Sequence, residues 1–236
     1  MQPTIQPRAS KSLVLVQALL GIGATLGIVL PYLRRAPGLE RLQRDQQYLF
    51  ASNHVSLLDT ILLGGLLWRR GLYPILVLGD RNVWHDSWIK RLLSSRIGFL
   101  LERGKLNRSR VRELQAFGRA SSNFHLIVFP EGTRGDGVRV APCQPGLYFI
   151  AQEAAVPIVP IFIRNMQLVS TKSGRFHPLA GWRKVEVHFG EPIAPSAYLS
   201  LPREELTEFV RERIAALGPK TLSATSARDI DTTVQA

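Results

Sequence analysis

The stretch "NHVSLLD", residues 53–59, sets an imidazole and a carboxylate at the junction of two apolar runs. His54 is a side chain whose ordinary pKa lies near neutrality, so it can both accept and release a proton. Asp59 falls in the first turn of the helix that the following apolar run predicts. From there it can hold one ring nitrogen protonated and leave the other free as a base, and the positive helix end keeps the carboxylate ionised. A plainer role fits part of the same stretch. Ser56 and Asp59 have the spacing of a capping box, with the hydroxyl capping the helix and the acid answering from its first turn. Capping leaves Asn53 and His54 unexplained, and one carboxylate can serve both roles.

A second cluster lies in "HLIVFPEGTRGDG", residues 125–137. An apolar strand is stopped by Pro130 and followed by Glu131, Gly132, Thr133 and Arg134 in a glycine-rich loop. Such a turn gathers backbone amides, a hydroxyl and a guanidinium, the donors that hold a phosphate. A surface turn with a solvated arginine is the bland alternative. A third piece is "GFLLERG", where Arg103 ends another predicted strand. In a wound sheet the three strand ends converge on one rim, the place where open α/β sheets bind ligands.

The elements needed for that convergence are present as an alternation. Strand-like runs at 47–52, 73–79, 97–103, 125–130, 156–163 and 184–190 are separated by helical patterns at 59–70, 107–122 and 146–155, with a closing helix at 203–218 ended by Gly218. This alternation predicts an α/β fold, a mixed and mostly parallel sheet flanked by helices on both faces. Ahead of it, residues 13–30 carry no charge and only Gln17 and Thr25 as polar side chains. With Pro31, Tyr32 and Leu33 the run reaches 21 residues, long enough to cross a bilayer, so an N-terminal hydrophobic, membrane-associated helical segment is expected. A buried core helix is its rival, and Gly21, Gly23 and Gly27 also permit a bent hairpin. Pro31 through Arg35 reads as an interfacial stop. Arg34, Arg35, Arg41 and Arg44 outnumber Arg8 and Lys11, which places the main domain on the cytoplasmic face. The expected organisation is an anchoring segment over 1–44, one catalytic domain over 45–218, and a disordered tail over 219–236. Residues 84–95, with Trp84 and Trp88 four apart, read either as a lipid-facing amphipathic helix or as a packed one with a solvated basic edge.

Composition narrows the partners. Thirty Lys and Arg against 18 Asp and Glu give a net charge of +12, which suits an anionic lipid, a phosphorylated acceptor, coenzyme A or an acidic carrier protein. Zinc spacing and aromatic RNA-binding motifs are missing, so nucleic acid is not the expected partner. The lone Cys143 excludes an internal disulfide and a cysteine-based metal cluster.

"NHVSLLD" followed by "FPEGTR" resembles the glycerolipid acyltransferases typified by bacterial 1-acylglycerol-3-phosphate acyltransferase. The family's NHxxxxD block is matched by Asn53, His54 and Asp59, with Ser56 at a position where serine is frequent. Its glycine-to-arginine block is matched by Gly98 through Arg103, FPEGTR by Phe129 through Arg134, and a Val-Pro-Ile-Val-Pro segment by Val156 through Pro160. One departure bears on the acceptor's head group: Gln144 stands where members often carry lysine, with Arg139 as the candidate substitute.

The resemblance, joined to the residues, implies acyl transfer from a thioester to a lysolipid hydroxyl. The first acceptor implied is 1-acylglycerol-3-phosphate, giving phosphatidic acid. Another lysolipid (a lyso-ornithine lipid or a remodelling substrate) is the alternative, and thioester hydrolysis a more distant one. His54 would act as base and Asp59 would orient it. Arg103, Glu131, Gly132, Thr133 and Arg134 would position the acceptor, and Asn53 and Ser56 would support the loop. Acyl-CoA or acyl carrier protein would be the donor, and the reaction implied needs no bound cofactor and no metal.

Overall fold

A computed structural model describes residues 10–80, 98–101, 107–171 and 174–219. Seven strands form one sheet: β1 (Leu33–Arg35), β2 (Leu49–Ser52), β3 (Ile75–Asp80), β4 (Gly98–Leu101), β5 (His125–Val128), β6 (Ile158–Arg164) and β7 (Val185–Phe189), in the spatial order β1-β7-β6-β2-β5-β3-β4. The strands from β6 to β4 run parallel, while β7 pairs antiparallel with β6 and carries β1 beside it in its own direction. This is the mixed, mostly parallel sheet that the alternation predicts.

The helices divide between the two faces because each strand alternates its side chains. Phe50, Val159, Ile161 and Ile163 point into a core shared with α1 (Lys11–Tyr32) and α2 (Leu58–Arg70). Leu49, Ala51, Ile158 and Phe162 point into the opposite core, shared with α3 (Arg108–Arg119), α4 (Gly146–Ala154) and α5 (Arg203–Ala215). Helix α5 ends three residues before Gly218.

His125 shows what these cores do to an ionisable group. It is 1% exposed, stacks on Tyr48, and its Nδ1 has no partner among the described residues. Burial pushes its pKa down to about 4. The unfolded chain takes up this proton near pH 6.5, so the contribution is complete above that pH and fades as pH falls toward 4. Between pH 6.5 and pH 5 the loss is about 2 kcal/mol. Unfolding curves at the two pH values should show it, and His125→Phe should remove that share of the pH dependence.

Helix α1 spans 22 residues; its apolar 18-residue window has a mean hydropathy of 2.4, and only 17% of that window is buried. It is therefore not the enclosed core helix that rivalled the membrane reading. Nor does it fold back as a hairpin: it runs on through a π-helical stretch at Thr25–Val29. One face is docked on the domain. A Cβ at Gly21 would stand 2.3 Å from Trp68 of α2, and one at Gly65 would stand 2.9 Å from Val29, so these two glycines let the helix backbones approach. Gln17 is 6% exposed, and its amide both donates to the Ile75 carbonyl and accepts from the Ile75 N–H. This side chain supplies backbone-like bonds to the first residue of β3.

Residues 33–35 do more than stop a helix at an interface. They form β1, and Arg34 and Arg35 reach the nearly buried Glu186 of β7 at 3.3 and 2.9 Å. The Arg35 guanidinium holds the Glu186 carboxyl below its usual range. The sheet thus begins inside the segment expected as anchor, before residue 45. Residues 84–95 and 220–236 lie outside the described residues.

Candidate active site

Strand β2 is buried at all four positions and sits between β5 and β6. Because β2 and β5 are parallel neighbours, the loops leaving their carboxyl ends lie side by side. Asn53 extends the order of β2 by one residue. Its side chain is 1% exposed, accepts from the Ile163 N–H at 2.6 Å and donates to the Ile163 carbonyl at 3.0 Å. The loop bearing His54 is thereby tied to β6 before it turns into α2.

His54 Nδ1 lies 2.9 Å from Asp59 Oδ2, and the ring has no other hydrogen-bond partner among the described residues. The same oxygen accepts the Val55 N–H at 2.6 Å and the Ser56 N–H at 2.8 Å. An oxygen that already accepts two backbone N–H bonds faces the ring as an acceptor as well, so Nδ1 carries the proton and Nε2 keeps a free lone pair. The capping box is half formed. Asp59 reaches back to the Ser56 N–H, but the Asp59 N–H donates to the Ser56 carbonyl, and the Ser56 hydroxyl accepts from Leu58 instead. Asp59 Oδ1 is buried without a partner among the described residues.

The second motif wraps the first. The Phe129 ring stacks on His54 with centroids 4.2 Å apart, a role its place beside Pro130 gave no sign of. Glu131 is 2% exposed; one oxygen accepts the His54 N–H at 2.9 Å and the other the Ala141 N–H at 3.0 Å. The Gly135 N–H donates to the His54 carbonyl at 2.7 Å. A Cβ at Gly135 would approach Glu131 Oε2 to 3.2 Å, so the chain passes close here. His54 is therefore held by its side chain, its N–H and its carbonyl at once.

With this geometry in place, residues 34–164 match the family model described as Acyltransferase. The chain belongs to the acyltransferase family. It is 27% identical over 185 residues to a 1-acyl-sn-glycerol-3-phosphate acyltransferase from Saccharomyces cerevisiae, covering 74% of this chain and 55% of that one. A protein of the same name from Cocos nucifera is 26% identical over 131 residues, 53% of this chain and 40% of that one. A lyso-ornithine lipid O-acyltransferase from Brucella abortus is 24% identical over 203 residues, 75% of this chain and 73% of that one. The chain spans about half the length of the first two relatives. Its fold is also that of the crystal structure of the 1-acyl-sn-glycerophosphate (LPA) acyltransferase PlsC from Thermotoga maritima. There the TM-score is 0.65 at 22% identity, covering 87% of this chain and 79% of that one.

Two cavities border the acyltransferase motifs. One of about 430 Å³ is lined by Glu131, Gly132, Thr133, Gln144 and Arg110. Gly132 and Thr133 are exposed, and Arg134 is half-buried with no ion-pair partner among the described residues. Gln144 is tied to the same loop: its N–H donates to the Pro130 carbonyl at 2.7 Å. The other cavity, about 390 Å³ and almost wholly apolar, lies between α1 and α2 and reaches Leu57 and Leu58 at the end of the His54 loop. Arg103 lies outside the described residues.

The Glu131 carboxylate has a task besides any substrate contact. Burial pushes its pKa up, against the pull of the Ala141 and His54 amides. In Glu131→Gln the new amide nitrogen must face one of those two donors. If the residue positions His54, kcat falls about 10- to 100-fold with acceptor KM little changed, and unfolding is about 1–3 kcal/mol easier. A raised KM with kcat intact would instead make it a head-group contact.

Proposed function

We propose that this protein moves a fatty acyl group from an acyl thioester to the free hydroxyl of a lysolipid, with 1-acylglycerol-3-phosphate as the first candidate and phosphatidic acid as its product. The observation that carries this reading is the His54–Asp59 pair, its Nε2 without a partner among the described residues, held against the FPEGTR loop. The acceptor oxygen attacks the thioester carbonyl while Nε2 takes its proton. Asp59 balances the imidazolium that forms. The carbon–sulfur bond then breaks, and the proton passes to the departing sulfur. No serine nucleophile enters: the Ser56 hydroxyl is buried and engaged with Leu58.

We assign the acceptor's anionic group to the cavity beside the FPEGTR loop, where Arg110 and Thr133 line the wall and supply donors, with Arg134 of the same loop and Arg103 as further candidates. Acyl chains suit the apolar cavity under α1. Helix α1 attaches the protein to the membrane that holds its substrates, with the domain on the cytoplasmic face; the excess of arginine after the helix supports that side.

A second acceptor has its own support. Gln144, bound to the loop, is uncharged at the position where family members often carry lysine, and the match to the lyso-ornithine lipid acyltransferase covers most of both chains. The deciding experiment offers the purified protein lysophosphatidic acid, lyso-ornithine lipid and other lysophospholipids, each with acyl-CoA and with acyl carrier protein. An acylated product names the acceptor and the donor. Free fatty acid alone would make the protein a thioester hydrolase, and no turnover by folded protein with any pair would sink the proposal.

A further inference from the structure

Between β6 and β7 the chain presents large apolar side chains that nothing in the described protein covers. Phe176, Leu179 and Trp182 are 51%, 84% and 57% exposed. The backbone beneath them is well tied. Thr171 donates to the Arg175 carbonyl, Gly174 and Arg175 donate back to Thr171, and His177 donates to the Val169 carbonyl. The Trp182 N–H closes a turn on the Leu179 carbonyl, and Gly181 packs on Val169. A hydrogen-bonded backbone presents these groups outward, and clustered exposed apolar groups of this size mark a contact surface.

The segment abuts the end of α1. The Arg183 N–H donates to the Pro31 carbonyl at 3.0 Å, and the Tyr32 ring meets Phe176 and Trp182 edge-on at 6.2 and 6.4 Å. Along α1 the residues Leu15, Leu19, Ile22, Leu26 and Leu30 are 42–63% exposed and recur at helical spacing on one side. The two apolar surfaces meet at this corner. Residues 165–185 contain no acidic residue, while Arg175, Arg183 and Lys184 are exposed among them. Aromatic and aliphatic tips flanked by cations fit the head-group region of an anionic bilayer. A second copy of this chain would bring cation against cation.

We infer that residues 174–184 form a second membrane contact, seating Phe176, Leu179 and Trp182 in the interface of an anionic bilayer beside the end of α1. The inference rests on the reading of α1 as membrane-attached. A single helix leaves the domain free to roll about the helix axis. A second contact off that axis fixes the roll, and with it the direction in which the rim bearing His54 faces.

The test uses the full chain carrying Cys143→Ser, with one cysteine at a time introduced as Leu19→Cys, Leu179→Cys or, on the exposed side of α5, Glu205→Cys. Each is labelled with an environment-sensitive fluorophore and mixed with vesicles of phosphatidylcholine containing phosphatidylglycerol. Blue-shifted emission at positions 19 and 179 but not at 205 is expected. In the otherwise unaltered chain, Leu179→Asp should raise the lipid concentration for half-binding about 10-fold. A shift at 19 without one at 179 overturns the second contact and leaves the helix attachment standing. No shift at either position overturns both.

Discussion

His54→Ala should lower kcat for acyl transfer by about 10³-fold or more, since general-base assistance alone is worth about 10²–10⁴-fold. The ring is also part of the loop's packing, through its stack on Phe129 and its bond to Asp59. Its removal costs some stability, about 1 kcal/mol for one hydrogen bond. His54→Gln offers the control, because its amide can donate toward Asp59 without serving as a base. Both variants should remain folded by circular dichroism and bind substrate while turnover is lost. Either variant working within a few-fold of the unmodified protein would remove His54 from the chemistry.

Replacing Asp59 separates charge from scaffold. The unpartnered Oδ1 and the heavily bonded Oδ2 make the site asymmetric. In Asp59→Asn the amide oxygen can take the place of Oδ2, keeping the two backbone donors, while its nitrogen occupies the place where no acceptor waits. The fold should survive, and the imidazolium loses its counter-charge. Turnover should fall about 10²-fold if His54 keeps its tautomer, and toward about 10⁴-fold if the amide turns and inverts it. Asp59→Ala strips the acceptor from Val55 and Ser56 as well. It should add a stability loss of about 2–4 kcal/mol for two buried N–H groups left unpaired. Denaturation midpoints beside single-turnover rates check both parts, and equal stability of the two variants would contradict the account.

The strands that carry the site could be read from residue order, because each is a short apolar block with a breaker at its end. The chain leaves β2 at Asn53-His54, and β5 runs into Phe129-Pro130. The loops were harder. Glu131 sits among polar neighbours in the chain, so its order along the sequence argues for solvent or substrate. Only the fold brings the amides of His54 and Ala141 to its two oxygens. Strand β1 could not be foreseen from "LRR", since two arginines argue against a sheet. Their acid, Glu186, lies some 150 residues further along the chain. Gln17 looked like one polar interruption in an apolar run, and its partner at Ile75 is equally remote.

That glutamine sets a limit on how the protein can be shortened. An apolar segment ahead of a catalytic domain invites removal to obtain a freely dissolving fragment. Cutting before residue 33 would strip Ile75 of both main-chain partners, unroof the cavity over α2 and bare Trp68 and Gly65 to water. The better route to a tractable sample is to repaint the outward leucines of α1 and keep its inward face, because the helix is as much a wall of the domain as its proposed attachment.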